Sequence, residues 1–151
     1  MAEFSGVSQI VPPGGSIVYT ITNVPCNKGL INHDPSSGNF LLKGTLQNGM
    51  YPGNCRCRGK RSSLYTCSVG ANIAVATGET VGEISIAIAL DGGVLSNTTM
   101  RVTPAAVEEF FNVSRITNVD IFNGCCQTVT VVNTSNVSIA VEEPNIVFGI
   151  A

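Results

Sequence analysis

The sequence is short of charge, has few aromatic residues, lacks tryptophan and contains a single histidine. Each shortage removes a class of function. Charged residues make up 12% of the 151 positions, where a soluble domain usually carries about a quarter, and the mean hydropathy is +0.29. Apolar surface with so little charge is usually buried between subunits, so an oligomer is expected. Eight Lys and Arg against ten Asp and Glu give a net charge of −2, too weakly basic to neutralise a run of phosphates, and nucleic acid is not expected as a partner. The basic cluster Arg56, Arg58, Lys60 and Arg61 reads as a solvated loop in preference to a phosphate site.

The lone histidine, His33, would have to serve in any Ser/His or Cys/His pair, and it lies in the turn-like run Asn32-His33-Asp34-Pro35. The adjacent acids Glu108-Glu109 and Glu142-Glu143 face opposite ways in a strand and diverge by about 100° on a helix, so neither pair makes a dyad. No glycine loop opens a helix after a strand. Neither enzymatic activity nor a cofactor is expected. Apolar runs of about 18 residues are missing, which predicts no membrane span. No basic start followed by an apolar run opens the chain, so the expectation is synthesis in the cytoplasm without a secretory signal. The sequons at Asn97, Asn112, Asn133 and Asn136 then read as strand and turn chemistry.

What the sequence does have is alternation of period two between frequent turns. Ser16–Thr22 follows the breaker Pro12-Pro13-Gly14-Gly15, Phe40-Leu41-Leu42 precedes Lys43-Gly44, and Ala71–Val75 ends at Thr77-Gly78. Gly82–Leu90 stops at Asp91-Gly92-Gly93, and strands follow at Val113–Phe122, Gln127–Val132, Val137–Val141 and Ile146–Ile150. Eight or more short strands at this spacing predict one all-β domain over residues 1–151, a sandwich or barrel. Thr103–Phe111 has an N-cap candidate and a proline at the first helical position, and is expected to be one or two helical turns or a loop.

Two features point to assembly. The Ile84–Leu90 strand puts Ile84, Ile86 and Ile88 on one face and Ser85, Ala87 and Ala89 on the other, and a strand without charge on either face is buried on both. A neighbouring subunit is expected to cover the second face. Ile146, Phe148 and Ile150 make the last strand apolar, where a terminus would otherwise fray. Ile84, Ile86, Ile88, Ile146, Phe148 and Ile150 are the candidate subunit interface.

Six cysteines remain to be placed: Cys26, Cys55, Cys57, Cys67, Cys125 and Cys126. No ligand knuckle of two cysteines separated by two or more residues is present, so a metal is not expected, though zinc stays open. The even count, and the grouping of Cys55, Cys57 and Cys67 in a Gly- and Arg-rich insert at about 48–67, favour disulfides among Cys26, Cys55, Cys57 and Cys67. Unpaired buried thiols are the other reading, applying chiefly to Cys125 and Cys126.

Phe40-Leu41-Leu42-Lys43-Gly44, Gly70-Ala71-Asn72-Ile73-Ala74-Val75, Gly82–Asp91 and the closing strands resemble the jelly-roll modules of the tumour necrosis factor and complement globular-head superfamily. Within it, small proteins and fibre tips of gut bacteria and their phages carry stretches similar to Thr99–Glu108 and Gly124-Cys125-Cys126. The resemblance spans about residues 29–151 and departs from the pattern at the Cys-rich insert. It implies a ten-strand jelly roll and a bell-shaped homotrimer with apolar strands on the three-fold axis. The expected role is non-enzymatic: a virion surface component, as head decoration or fibre protein, partnered by itself and by capsid or fibre subunits. A tip module binding a host glycan or receptor, and a bacterial cell- or spore-surface protein, are the alternatives.

Overall fold

The computed structural model describes residues 2–26, 30–44, 62–122 and 126–150. Among these residues twelve strands run in the order β1 Ala2–Ser5, β2 Gln9–Val11, β3 Ile21–Val24, β4 Ile31–His33, β5 Phe40–Lys43, β6 Ser62–Val75, β7 Ile84–Leu90, β8 Gly93–Val94, β9 Met100–Val102, β10 Phe111–Phe122, β11 Cys126–Asn133 and β12 Ile139–Ile150. They form two antiparallel sheets. Sheet A has the order β10-β6-β12-β1-β3, with β2 also pairing β12; sheet B has the order β4-β5-β11-β7-β8, with β9 also pairing β7. The chain crosses repeatedly between the sheets, and the result is a jelly-roll sandwich.

Period-two burial builds each layer. Along β6, Tyr65, Cys67, Val69, Ala71, Ile73 and Val75 are buried. Their partners across β12 are Phe148 opposite Cys67, Ile146 opposite Val69, Val141 opposite Ile73 and Ile139 opposite Val75, all equally buried. From sheet B, Ile84, Ile86 and Ile88 of β7, Val129 and Val131 of β11, and Phe40 and Leu42 of β5 meet them. Burying each such side chain contributes about 1.5–3 kcal/mol. Phe40 is the hub of an aromatic group, with ring centroids 4.8 Å from Phe4, 5.3 Å from Tyr19 and 5.1 Å from Phe148.

This packing corrects the expected subunit interface. Ile84, Ile86, Ile88, Ile146 and Phe148 are all fully enclosed within one protomer, because their phase along the strand points them between the sheets. The Ile150 side chain lies outside the described part. The second face of β7 needs no neighbour either, since Ser85, Ala87 and Ala89 are buried in the single chain. Its edge is tied up locally. Ile88 donates its N–H to Thr98 Oγ1 at 2.9 Å and Leu95 donates to the Ile88 carbonyl at 2.9 Å, from the 3-10 turn Ser96–Thr98 and its N-cap residue. The Ser85 N–H goes to Ser135 Oγ at 2.8 Å.

Thr103–Phe110 is a loop with no helical turn. Its one pairing is a parallel bridge of Val107 to Val75, and Glu108 takes φ +58° ahead of β10. The predicted strand at Ser16–Thr22 is displaced. Ser16 makes an isolated bridge to Val132, while the regular strand begins at Ile21.

Candidate functional site

The residues that could carry chemistry stand apart from one another. His33 ends β4, and its ring is inserted between Phe4 and Phe40, with centroids 4.7 Å from each. Its Nε2 is buried with no hydrogen-bond partner, so the expected turn histidine bonded to a neighbour is a packing residue instead. Asp34 begins the turn that follows, accepting hydrogen bonds from Ser36 N at 2.9 Å, Ser36 Oγ at 2.7 Å and Ser37 Oγ at 2.6 Å. Those donors lower its carboxyl to about 2. Among the described residues no three His, Cys, Asp or Glu side chains converge as a metal site would require.

The cysteines divide differently from the expectation. Cys67 belongs to β6, not to the insert, and is fully buried opposite Phe148. Its thiol is pushed up to about 12 by burial and carries no disulfide. Inward alternation of the strand dictates this, since Tyr65 and Val69 flank it on the same face. Cys126, a possible buried thiol on the alternative reading, is exposed at the start of β11 opposite Lys43. Cys26 is half-buried and lies close enough to Tyr65 to help raise that phenol, after the larger effect of burial. The Tyr65 hydroxyl donates to the Lys43 carbonyl. Tyr19, entirely buried with an unpartnered hydroxyl, is held protonated well above its usual range by burial and by the neighbouring Cys67. Cys55, Cys57 and Cys125 lie outside the described residues, as does the basic cluster.

The feature that does stand out is the outer face of sheet A. Register fixes its composition, because directly opposed residues share a face. Across one level run Ile116 of β10, Ser68 of β6, Val147 of β12, Glu3 of β1 and Val24 of β3; across the next run Ser114, Gly70, Asn145, Ser5 and Ile21. The middle of the face therefore carries mostly small or polar side chains, with no large exposed apolar group. Large apolar groups stand out at both margins: Ile116 is 68% exposed and Leu64 is 39% exposed on one side, Ile21 is 47% and Val24 is 41% exposed on the other.

Many of the polar groups of this face bond to each other. Asn112 Nδ2 donates to Asn72 Oδ1 at 3.0 Å, and Asn72 Nδ2 to Glu143 Oε1 at 3.4 Å. Asn145 Nδ2 donates to Glu3 Oε2 at 2.8 Å, Thr66 Oγ1 to Asn118 Oδ1 at 3.2 Å, and Ser5 Oγ to Asn23 Oδ1 at 3.0 Å. A bulge between Glu142 and Asn145, with Glu143 at φ +52°, brings the Glu143 carboxylate to Asn72. The described cations, Lys43, Arg101 and Arg115, are elsewhere: Lys43 and Arg101 on sheet B, the latter in an exposed 3.3 Å pair with Glu83, and Arg115 bonded to the Asn97 carbonyl. Sequence reasoning missed the face because Ile116 is surrounded by polar residues. Only the pairing of β10 with β6 shows that it points outward.

No protein-family model matches the chain, and no curated protein matches it in sequence. Solved structures do. The Eiger tumour necrosis factor of S. frugiperda superposes with a TM-score of 0.59 at 8% identity, over 97% of this chain and 88% of that one. A family 35 carbohydrate-binding module from Clostridium thermocellum covers 91% of this chain and 97% of its own at 11% identity, with a TM-score of 0.35, below what marks a common fold. The chain thus has the jelly-roll fold of the tumour necrosis factor type, as its sequence resemblance implied.

Proposed function

We propose that the protein is a non-catalytic module that assembles into a homotrimer through the outer face of sheet A and displays the rest of its surface. The observation that carries this is the state of that face: many of its polar groups are already hydrogen-bonded to one another, while Ile116, Leu64, Ile21 and Val24 project from its two margins. Desolvating a polar group costs little when its partner travels with it. Large exposed apolar side chains, in contrast, gain by leaving water.

The apolar groups at opposite margins favour a cyclic arrangement. When the β10 margin of one copy meets the β3 margin of the next, the contact is heterologous, and such contacts form a ring when the rotation between copies closes. Trimer is the ring the fold's resemblance implies. Because the face carries acids and no described cation, association is expected to rest on apolar contact and to survive added salt. The setting we propose is the surface of a virion, as decoration or fibre protein alongside capsid or fibre subunits; low charge and the cluster of thiols in the insert support it. Host glycan or receptor binding at the displayed surface is compatible with this role.

Sedimentation velocity on the full chain at micromolar concentration tests the assembly. A single species of three times the protomer mass is expected at low and high salt. A monodisperse monomer overturns the proposal.

A further inference from the structure

Sheet B carries a feature that assembly through sheet A leaves unused. Two adjoining cavities of about 450 Å³ and 560 Å³ lie over β11 and share Gly14, Gly92 and Val132. Together they form an open groove of the size that takes small ligands. Val129 and Val131 of β11 point into the core, so Thr128, Thr130 and Val132 point into the groove.

Both walls are turns anchored to that strand. On one side Asp91 donates its N–H to the Thr128 carbonyl at 2.8 Å, and its Oδ1 accepts the Thr128 N–H at 2.9 Å. This reciprocal pair locks the carboxylate in place and leaves Oδ2 for a ligand. On the other side Gly15 closes a turn onto the Pro12 carbonyl at 2.9 Å, and Gly14 donates to the Asn133 carbonyl at 2.9 Å. Gly14 and Gly92 have only open space where a Cβ would stand, so the missing side chains help keep the groove open. Ligand binding would require little rearrangement of either wall.

The lining groups identify the ligand by chemistry. Ser16, Asn39, Thr128 and Thr130 offer hydroxyl and amide groups that make no hydrogen bond to any described residue through their side chains. Among the described lining residues Asp91 is the single charge and there is no cation, which disfavours phosphate, sulfate or carboxylate ligands. Val132 and the half-exposed Val94 supply the apolar contact, too little for a lipid and enough for the C–H face of a ring. We infer that the groove over β11, between the Asp91-Gly92 turn and the Pro12–Gly15 turn, binds a neutral saccharide through Asp91, Thr128, Thr130, Ser16 and Asn39. The site is on the sheet opposite the assembly face, so it stands or falls independently of trimer formation.

The test uses the full chain on an immobilised panel of cello-, xylo-, manno- and galacto-oligosaccharides, with sulfated and sialylated glycans alongside, followed by calorimetric titration of the sugars retained. At least one neutral oligosaccharide is expected to bind, with an affinity insensitive to salt. Asp91→Asn keeps an acceptor for Thr128 and suits the positive φ of +50° at that position; Thr130→Val keeps the shape and removes the hydroxyl. Each is expected to weaken binding about tenfold or more, the worth of one good hydrogen bond, without moving the melting temperature of Asp91→Asn. Failure of every neutral sugar to bind at millimolar concentration overturns the inference. So does binding that both variants leave intact, or retention of anionic glycans alone in a salt-sensitive manner.

Discussion

The imidazole of His33 lies parallel to the ring of Phe40, centroids 4.7 Å apart and planes 10° from parallel. The pair joins β4 to β5, where His33 and Phe40 are also register partners. A ring in that position contributes by contact area, and stacked pairs add about 0.5–1.5 kcal/mol beyond it. Its buried, unpartnered Nε2 works against that gain.

His33→Phe is therefore expected to hold or raise the melting temperature, since it keeps the ring and removes the orphaned nitrogen. His33→Asn should fold and assemble but melt lower, by about 1–3 kcal/mol for an amide left without partners. Thermal denaturation by circular dichroism compares the two. If His33→Phe proved the more damaging, His33 would have a polar role that its surroundings do not explain.

Ile116 and Phe148 predict opposite failures. Phe148 is fully enclosed opposite Cys67, so Phe148→Glu buries an unpaired charge and should leave no folded protomer, at a cost of about 3–5 kcal/mol or more. Ile116→Glu places the same charge on the outer face. It should yield a folded monomer with the native circular dichroism spectrum. A variant at Ile116 that stays trimeric would move the interface elsewhere.

The strand pattern was legible because alternation is a local property. The Ile84, Ile86, Ile88 series and the β11 series read directly as strands, and both are. What could not be read was which body covers the second face of β7. A strand buried on both sides looks alike whether the cover is another copy or its own chain, and here the chain's own residues suffice. Short elements such as β1 and β4 escaped because four or three residues carry no period. Cys67 was misplaced because the apolar alternation of β6 begins among polar residues, Ser62, Ser63 and Thr66. The phase of β10, and with it the outward direction of Ile116, is set by pairing with residues some 40–60 positions earlier. Such long-range register is invisible to a reading along the chain.

Cys67 should be chemically silent. With its thiol pushed up to about 12 by burial, almost none is thiolate at neutral pH, and the thiolate is the reacting species. Iodoacetamide at pH 8 is expected to label the exposed Cys126 in the native protein, and Cys67 only after unfolding, as peptide mapping would show. Cys67→Ala should lower stability by about 1 kcal/mol for the lost buried group, and Cys67→Ser by more, because a hydroxyl there has no partner. Labelling of Cys67 at the rate of Cys126 would mean that β6 opens readily.

The turn after His33 sets the behaviour in acid. Three hydrogen bonds from Ser36 and Ser37 stabilise the ionised form of Asp34 and lower its carboxyl to about 2 from an ordinary value near 3.8. A group whose folded value lies below its unfolded one contributes stability above the unfolded value, and that contribution fades as pH falls through the folded one. The Asp34 contribution should thus be complete above about pH 4 and gone near pH 2. Asp34 is fully solvent-exposed, so the effect is a small one. Asp34→Asn keeps one carbonyl acceptor for the turn but cannot lose a charge. Its melting temperature is expected to fall below that of the unmodified protein at pH 6, and the difference between the two should close as the buffer is taken from pH 4 to pH 2. Curves that stay parallel over that interval would mean that the ionised Asp34 does not hold this turn, and that the backbone bonds of Asp34 to Asn39 and Gly38 hold it instead.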